Sequence, residues 1–202
     1  MAQDNSSVEQ LYHKLSPIDA AINRGDPIGT EEFLAALDSL TAVFDTAGVD
    51  MLEGGRNDMA ENIGKLRNRA SRSPEKSQRL QDMILAERAE GQHDATEALL
   101  WLTRGLEFFV AAMKRTLANS SEKLSDSIMS GYKDTLKKHH GFIAKTAIKV
   151  GVSKTCPSRE DLFGRLGQDS SLTTRSLQAS VGSFEKILGV LQPFLARADV
   201  KF

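Results

Sequence analysis

The chain has 202 residues but one cysteine, Cys156, one tryptophan, Trp101, and only 6% aromatic side chains. A lone cysteine excludes an internal disulfide and a thiolate metal cluster built by one chain, which fits a reducing, cytosolic setting. Nowhere do eighteen or so apolar residues follow one another, so no transmembrane helix is expected. The opening residues lack a basic segment followed by an apolar run, so the reading is of a soluble, unprocessed protein. Charge of one sign is also missing: 26 basic residues face 27 acidic ones, for a net charge of −1. Such a chain has no global field for nucleic acid, and none is expected as a partner. No internal repeat or low-complexity tract stands out, and the length suits one domain.

What is present is helical periodicity, almost throughout, and the class is all-α. Thr30 is expected to cap a helix carrying Phe33, Leu37, Leu40 and Phe44 as far as Gly48. Asp50 then starts a second helix, weakened in its first turns by Gly54 and Gly55. Ser73 and Pro74 open a third, with Leu80, Met83 and Ile84, which runs out at Gly91. Asp94 and Glu97 form a capping-box-like pair for the central helix, whose stripe is Leu99, Leu102, Leu106, Phe109, Met113 and Leu117. A further helix is read through Ile128, Tyr132, Leu136, His140 and Ile143 to about Gly151. Ser158 and Asp161 cap a short helix at Leu162 and Phe163, and the last helix carries Leu177 to Leu195, with Pro193 near its end. Residues 1–29 are taken as a partly irregular N-terminal segment with one helix around Tyr12, and residues 30–202 as the functional domain.

Several residues do not fit a plain core. Trp101 lies off the central stripe and shares its face with Arg104, Gly105 and Phe108 at three, four and seven positions on. Alone, this reads as a packed indole with a snorkelling arginine; the sharper reading is a flat aromatic platform beside a charged donor. Asp58, Asn62 and Lys65, four and three apart, line one helix face as acceptor, mixed group and cation, either a solvated face or a polar set for hydroxyls. His140, in "KKHHGF", falls toward the apolar side of its helix while His139 points elsewhere. No second histidine at three or four positions and no cysteine pair accompanies it, so neither metal nor cofactor is expected. Without a glycine-flanked nucleophile, catalysis has no motif behind it.

Together, "DMAENIGK", "LLWLTRGLEF", "LKKHHGF" and the apolar final helix, in that order, resemble the glycolipid transfer protein family over roughly residues 30–202. The resemblance implies a two-layer helical sandwich of about eight helices in a single domain, holding one glycosphingolipid and acting as a monomeric, non-enzymatic carrier that touches membranes peripherally. It also implies roles. Trp101 stacks under the first sugar, Asn62 and Lys65 hydrogen-bond its hydroxyls, Asp58 accepts from the ceramide amide N–H and from a sugar hydroxyl, and His140 donates to the amide carbonyl. Arg104 orients the neighbouring acid, and Phe44, Phe108, Leu136, Ile148 and Val152 are candidates for the chain-lining wall. In relatives that carry ceramide-1-phosphate a cation stands where this chain has Trp101, so the resemblance favours a sugar; a phosphate carrier, or a sensor that binds without efficient transfer, is the alternative.

Two positions depart from the family pattern. Phe142 stands where the family's glycolipid carriers have a docking tryptophan, and Val200 where a tyrosine near the head group is expected. Lys133, Lys137, Lys138, Lys145 and Lys149 are either a compensating attraction for anionic lipid or an ordinary solvated face.

Overall fold

Each amphipathic helix has one apolar stripe to bury, and all but the helix Phe142–Thr155, which buries only Val152, do so around one core. The computed structural model describes residues 6–48 and 53–201. Among them are nine α-helices: α1 (Ser7–Asn23), α2 (Thr30–Ala47), α3 (Glu53–Arg72), α4 (Leu80–Ala89), α5 (Asp94–Ala118), α6 (Leu124–Asp134), α7 (Phe142–Thr155), α8 (Arg159–Leu166) and α9 (Ser170–Leu195). Short 3-10 turns occupy Pro74–Lys76 and Leu136–His139. The helices stack as a two-layer sandwich with α5 at its centre, packed against α3, α4, α6 and α9, while α1 lies against α2 and α9.

The expected helix around Tyr12 is α1, and it is a full part of the core rather than a preface to it. Val8, Leu11, Leu15 and Ile18 are all buried, and Ser6 and Glu9 form a reciprocal capping box at its start.

Several helix starts differ from those read in the sequence. The cap of α2 is Gly29, not Thr30; Thr30 is the first helical residue, buried, and its N–H donates to the Gln78 carbonyl. Asp50 lies outside the described residues. Ser73 and Pro74 open only a 3-10 turn, and α4 begins at Leu80. Asp94 and Glu97 make no cap for α5. That end is held by Glu87 of α4, 2% exposed, whose carboxylate accepts 2.7 Å hydrogen bonds from the N–H groups of Ala95 and Thr96 and from the Thr96 hydroxyl. A carboxylate there satisfies two orphan N–H groups and complements the positive end of the helix dipole. The Ser158 cap is as expected, its hydroxyl accepting from the Asp161 N–H at 3.0 Å.

The helix read from Ile128 to Gly151 is two helices, which raises the number from about eight to nine. Thr135 leaves the helical region with its hydroxyl bonded back to the Gly131 carbonyl at 2.7 Å, and His140 and Gly141 are extended before α7 begins. The stripe through Ile143 is therefore broken, and Ile143 is 84% exposed.

At Gly131, α6 touches α5 so closely that a Cβ would stand 2.8 Å from the Ala112 nitrogen. Gly131→Ala is expected to cost about 1–3 kcal/mol of stability and lower the melting temperature by several degrees. An unchanged thermal transition would contradict that packing.

Candidate functional site

Asp58, Asn62 and Lys65 occupy successive turns of α3, which packs on α5. The Asp58 carboxylate is exposed and accepts no hydrogen bond from the described residues. Asn62 donates from its amide to the Asp58 backbone carbonyl at 2.8 Å. Lys65 pairs with Glu61 at 2.9 Å, and that hydrogen bond raises the lysine pKa and lowers that of the acid.

Across from this helix, Trp101 of α5 is half-buried in a cluster of cationic and imidazole groups. The Arg104 guanidinium carbon lies 4.7 Å from the indole centroid. The His140 ring is nearly parallel to the indole (27°, 6.3 Å), and His139 meets it edge-on (79°, 6.4 Å). His139, read as pointing elsewhere, thus belongs to the site. Both histidines come from the break between α6 and α7, which turns two successive side chains toward one indole. Tyr132 completes the floor: its hydroxyl is 3.2 Å from His140 Nδ1, and Phe108 packs edge-on against its ring. Next to the indole, a Cβ at Gly105 would meet no heavy atom within 4 Å, so the surface there is open.

Arg104, to which the resemblance gives the role of orienting the neighbouring acid, lies over Trp101 and forms no ion pair among the described residues. Burial lowers its pKa, opposed by Glu107 and Glu97. Burial likewise depresses both histidines; Asp58 opposes this at His140, and the Arg104 charge reinforces it at His139. The arrangement offers an aromatic plane, an open acceptor and several donors, the set a polyol ring and an amide require. Among the described residues no group of His, Cys, Asp and Glu side chains is placed to hold a metal ion.

Because the folded state holds His139 and His140 below the ordinary imidazole value of 6.5, the unfolded chain takes up protons first as pH falls. Their contribution to stability is complete above pH 6.5 and is lost below it. Glu90, held down to about 2 by hydrogen bonds from Arg69 and Lys76, adds a second loss between its ordinary 4.5 and about 2. Urea midpoints are expected to fall in these two stages; a flat profile from pH 7 to 5 would contradict the first.

Of the chain-lining candidates, Phe44, Phe108 and Ile148 are partly buried against the core and Val152 is buried, while Leu136 is half-buried outside it. Phe44 packs edge-on against Phe109 (5.9 Å), which packs edge-on against Phe184 (5.7 Å). A cleft of about 980 Å³ lies elsewhere, beside Cys156, Arg159 and the start of α9, and no head-group candidate lines it. Phe142 and Ile143, at the first turn of α7, are 83% and 84% exposed. Lys133, Lys137, Lys138 and Lys149 are exposed, and Lys145 is half-buried and near enough to depress His140. Val200 is fully buried in the core, and the neighbouring Lys201 carbonyl accepts from Arg88 of α4. No described helix is long and apolar enough to cross a membrane.

The family model for glycolipid transfer protein matches residues 28–168. A glycolipid transfer protein of Aureobasidium melanogenum is 38% identical over 189 residues, which cover 94% of this chain and 93% of that one. The crystal structure of HET-C2, a fungal glycolipid transfer protein, superposes with a TM-score of 0.84 at 36% identity over 98% of this chain and 97% of the other. FAPP2, which selects simple glycosphingolipids with this fold, gives 0.76 at 28% identity over 84% and 86%.

Proposed function

The chain belongs to the glycolipid transfer protein family, and from that premise we propose that it is a non-enzymatic, monomeric cytosolic carrier that takes a glycosphingolipid from one membrane to another. The observation that carries this reading is the Trp101 plane, open beside Gly105 and flanked by His140. The first sugar stacks on that plane while Asn62 and Lys65 bond its hydroxyls. Asp58 accepts from the ceramide amide N–H, and His140 donates to the amide carbonyl. A buried amide left unpaired costs about 1–3 kcal/mol, so one acceptor and one donor at this point select for it.

Phe44, Phe108, Leu136, Ile148 and Val152 wall the hydrocarbon chains, and the core must part to admit them, since each buried CH₂ gains about 0.8 kcal/mol. Phe142, joined by Ile143, enters the membrane surface, with the lysines of the α6–α7 region attracted to anionic lipid. A sugar is favoured over a phosphate because Trp101 stands where the phosphate carriers of the family have a cation, and because the Glu61 carboxylate neutralises the Lys65 charge while leaving ammonium N–H groups for hydroxyls. Arg104, which feels Glu107 and Glu97 but forms no close ion pair among the described residues, is what favours the second reading, a ceramide-1-phosphate carrier.

Trp101 is the chain's one tryptophan, so its emission reports the site alone. Titration with galactosylceramide-containing vesicles is expected to shift that emission, and vesicles of phosphatidylcholine alone are not. No difference between the two would sink the stacking role.

A further inference from the structure

Tyr132 belongs to α6 and lies beneath the head-group site, in contact with His140 and Phe108. It is 2% exposed, its ring is fixed against Phe108, and burial pushes its phenol pKa up, so it is neutral. Its hydroxyl has one hydrogen-bond partner among the described residues, Nδ1 of His140 at 3.2 Å. Two polarities are possible for this bond. If Nδ1 carried the proton and donated to the phenol oxygen, the buried phenol O–H would have no acceptor, at the cost of an unpaired polar group. The phenol therefore donates and Nδ1 accepts.

A neutral imidazole has a single N–H, and the bond at one nitrogen decides the other. We infer that Tyr132 is a positioning residue that fixes His140 as the Nε2–H tautomer, so that the imidazole can present a donor to the amide carbonyl of a bound sphingolipid. The half of this inference that concerns lipid rests on the function proposed above; the tautomer does not. In the other tautomer Nε2 would be an acceptor and would repel a carbonyl oxygen. The parallel contact with Trp101 fixes the plane of the ring, and Tyr132 fixes which edge carries the proton.

Long-range ¹⁵N–¹H NMR of the full chain at pH 7.5, with His140 assigned by His140→Gln, reads the tautomer directly. The expected result is a protonated Nε2 and an unprotonated Nδ1 in the wild type, and a shift toward mixed tautomers in Tyr132→Phe, which keeps the ring against Phe108. Galactosylceramide affinity should fall about 3- to 10-fold in that variant, the range of one lost hydrogen bond. A wild-type His140 protonated at Nδ1, or a ratio unmoved by Tyr132→Phe, would overturn the inference, and the wild-type spectrum decides even if the variant does not fold. A shifted tautomer with unchanged lipid affinity would overturn the positioning role. If the wild type binds no galactosylceramide while the tautomers behave as stated, it is the carrier reading that fails.

Discussion

Asp58→Val is expected to lower glycolipid transfer about 10- to 100-fold while leaving thermal unfolding unchanged. The two halves of that result come from one observation: the carboxylate is exposed and accepts no hydrogen bond from the described residues, so the fold does not depend on it. The bound lipid does. Its amide N–H is taken out of water beside the ceramide chains, and a charged acceptor there contributes about 1.5–3 kcal/mol. Valine has nearly the same shape and no acceptor, so the amide is stranded. Asp58→Asn keeps an oxygen in place and should recover part of the loss. Normal transfer by a folded Asp58→Val variant would mean that the amide is held elsewhere.

The second large effect is expected at the start of α7. Truncating both exposed side chains, Phe142→Ala with Ile143→Ala, should weaken partition onto vesicles about 100-fold, at about 1.5 kcal/mol for each removed apolar side chain. Their exposure above 80% means that the core loses nothing, so the melting temperature should hold. Transfer should fall with partition, whereas affinity for a short-chain, water-dispersed galactosylceramide should not. Phenylalanine lacks the indole N–H that suits a membrane interface, and the adjacent isoleucine restores apolar area by a different route. Sedimentation with vesicles checks this; undiminished binding by the double variant would remove α7 from the docking surface.

The sequence was most legible where physics is local. The stripes of α2, α5 and α9 follow from spacing alone, and the Ser158 cap follows from a hydroxyl three residues before an N–H. It was least legible where a partner comes from another element. Nothing within the α5 segment announces that Glu87 of α4 will cap it, and so Asp94 and Glu97 drew the assignment instead. The periodicity from Ile128 to Ile143 continued through the break, because Tyr132, Leu136 and His140 keep helical spacing even though Thr135 and Gly141 end the helices. The Gly141 that follows two histidines was the available signal. A continuous helix puts His139 on the side away from His140 and makes Tyr132 a stripe residue; the break brings both histidines to Trp101 and Tyr132 to His140. In the N-terminal helix the spacing is regular, with Val8, Leu11, Leu15 and Ile18 three, four and three apart and all buried, but the Gly- and Pro-containing stretch at residues 23–29 that follows it makes the segment look irregular.

Transport of a sugar-bearing sphingolipid between membranes is tested most directly by a vesicle-to-vesicle transfer assay run side by side with galactosylceramide and ceramide-1-phosphate at equal chain length. The purified chain is expected to accelerate movement of the glycolipid well beyond that of the phosphorylated lipid. Faster movement of ceramide-1-phosphate would make Arg104 and Lys65 a phosphate clamp, and no acceleration of either lipid would contradict the carrier itself.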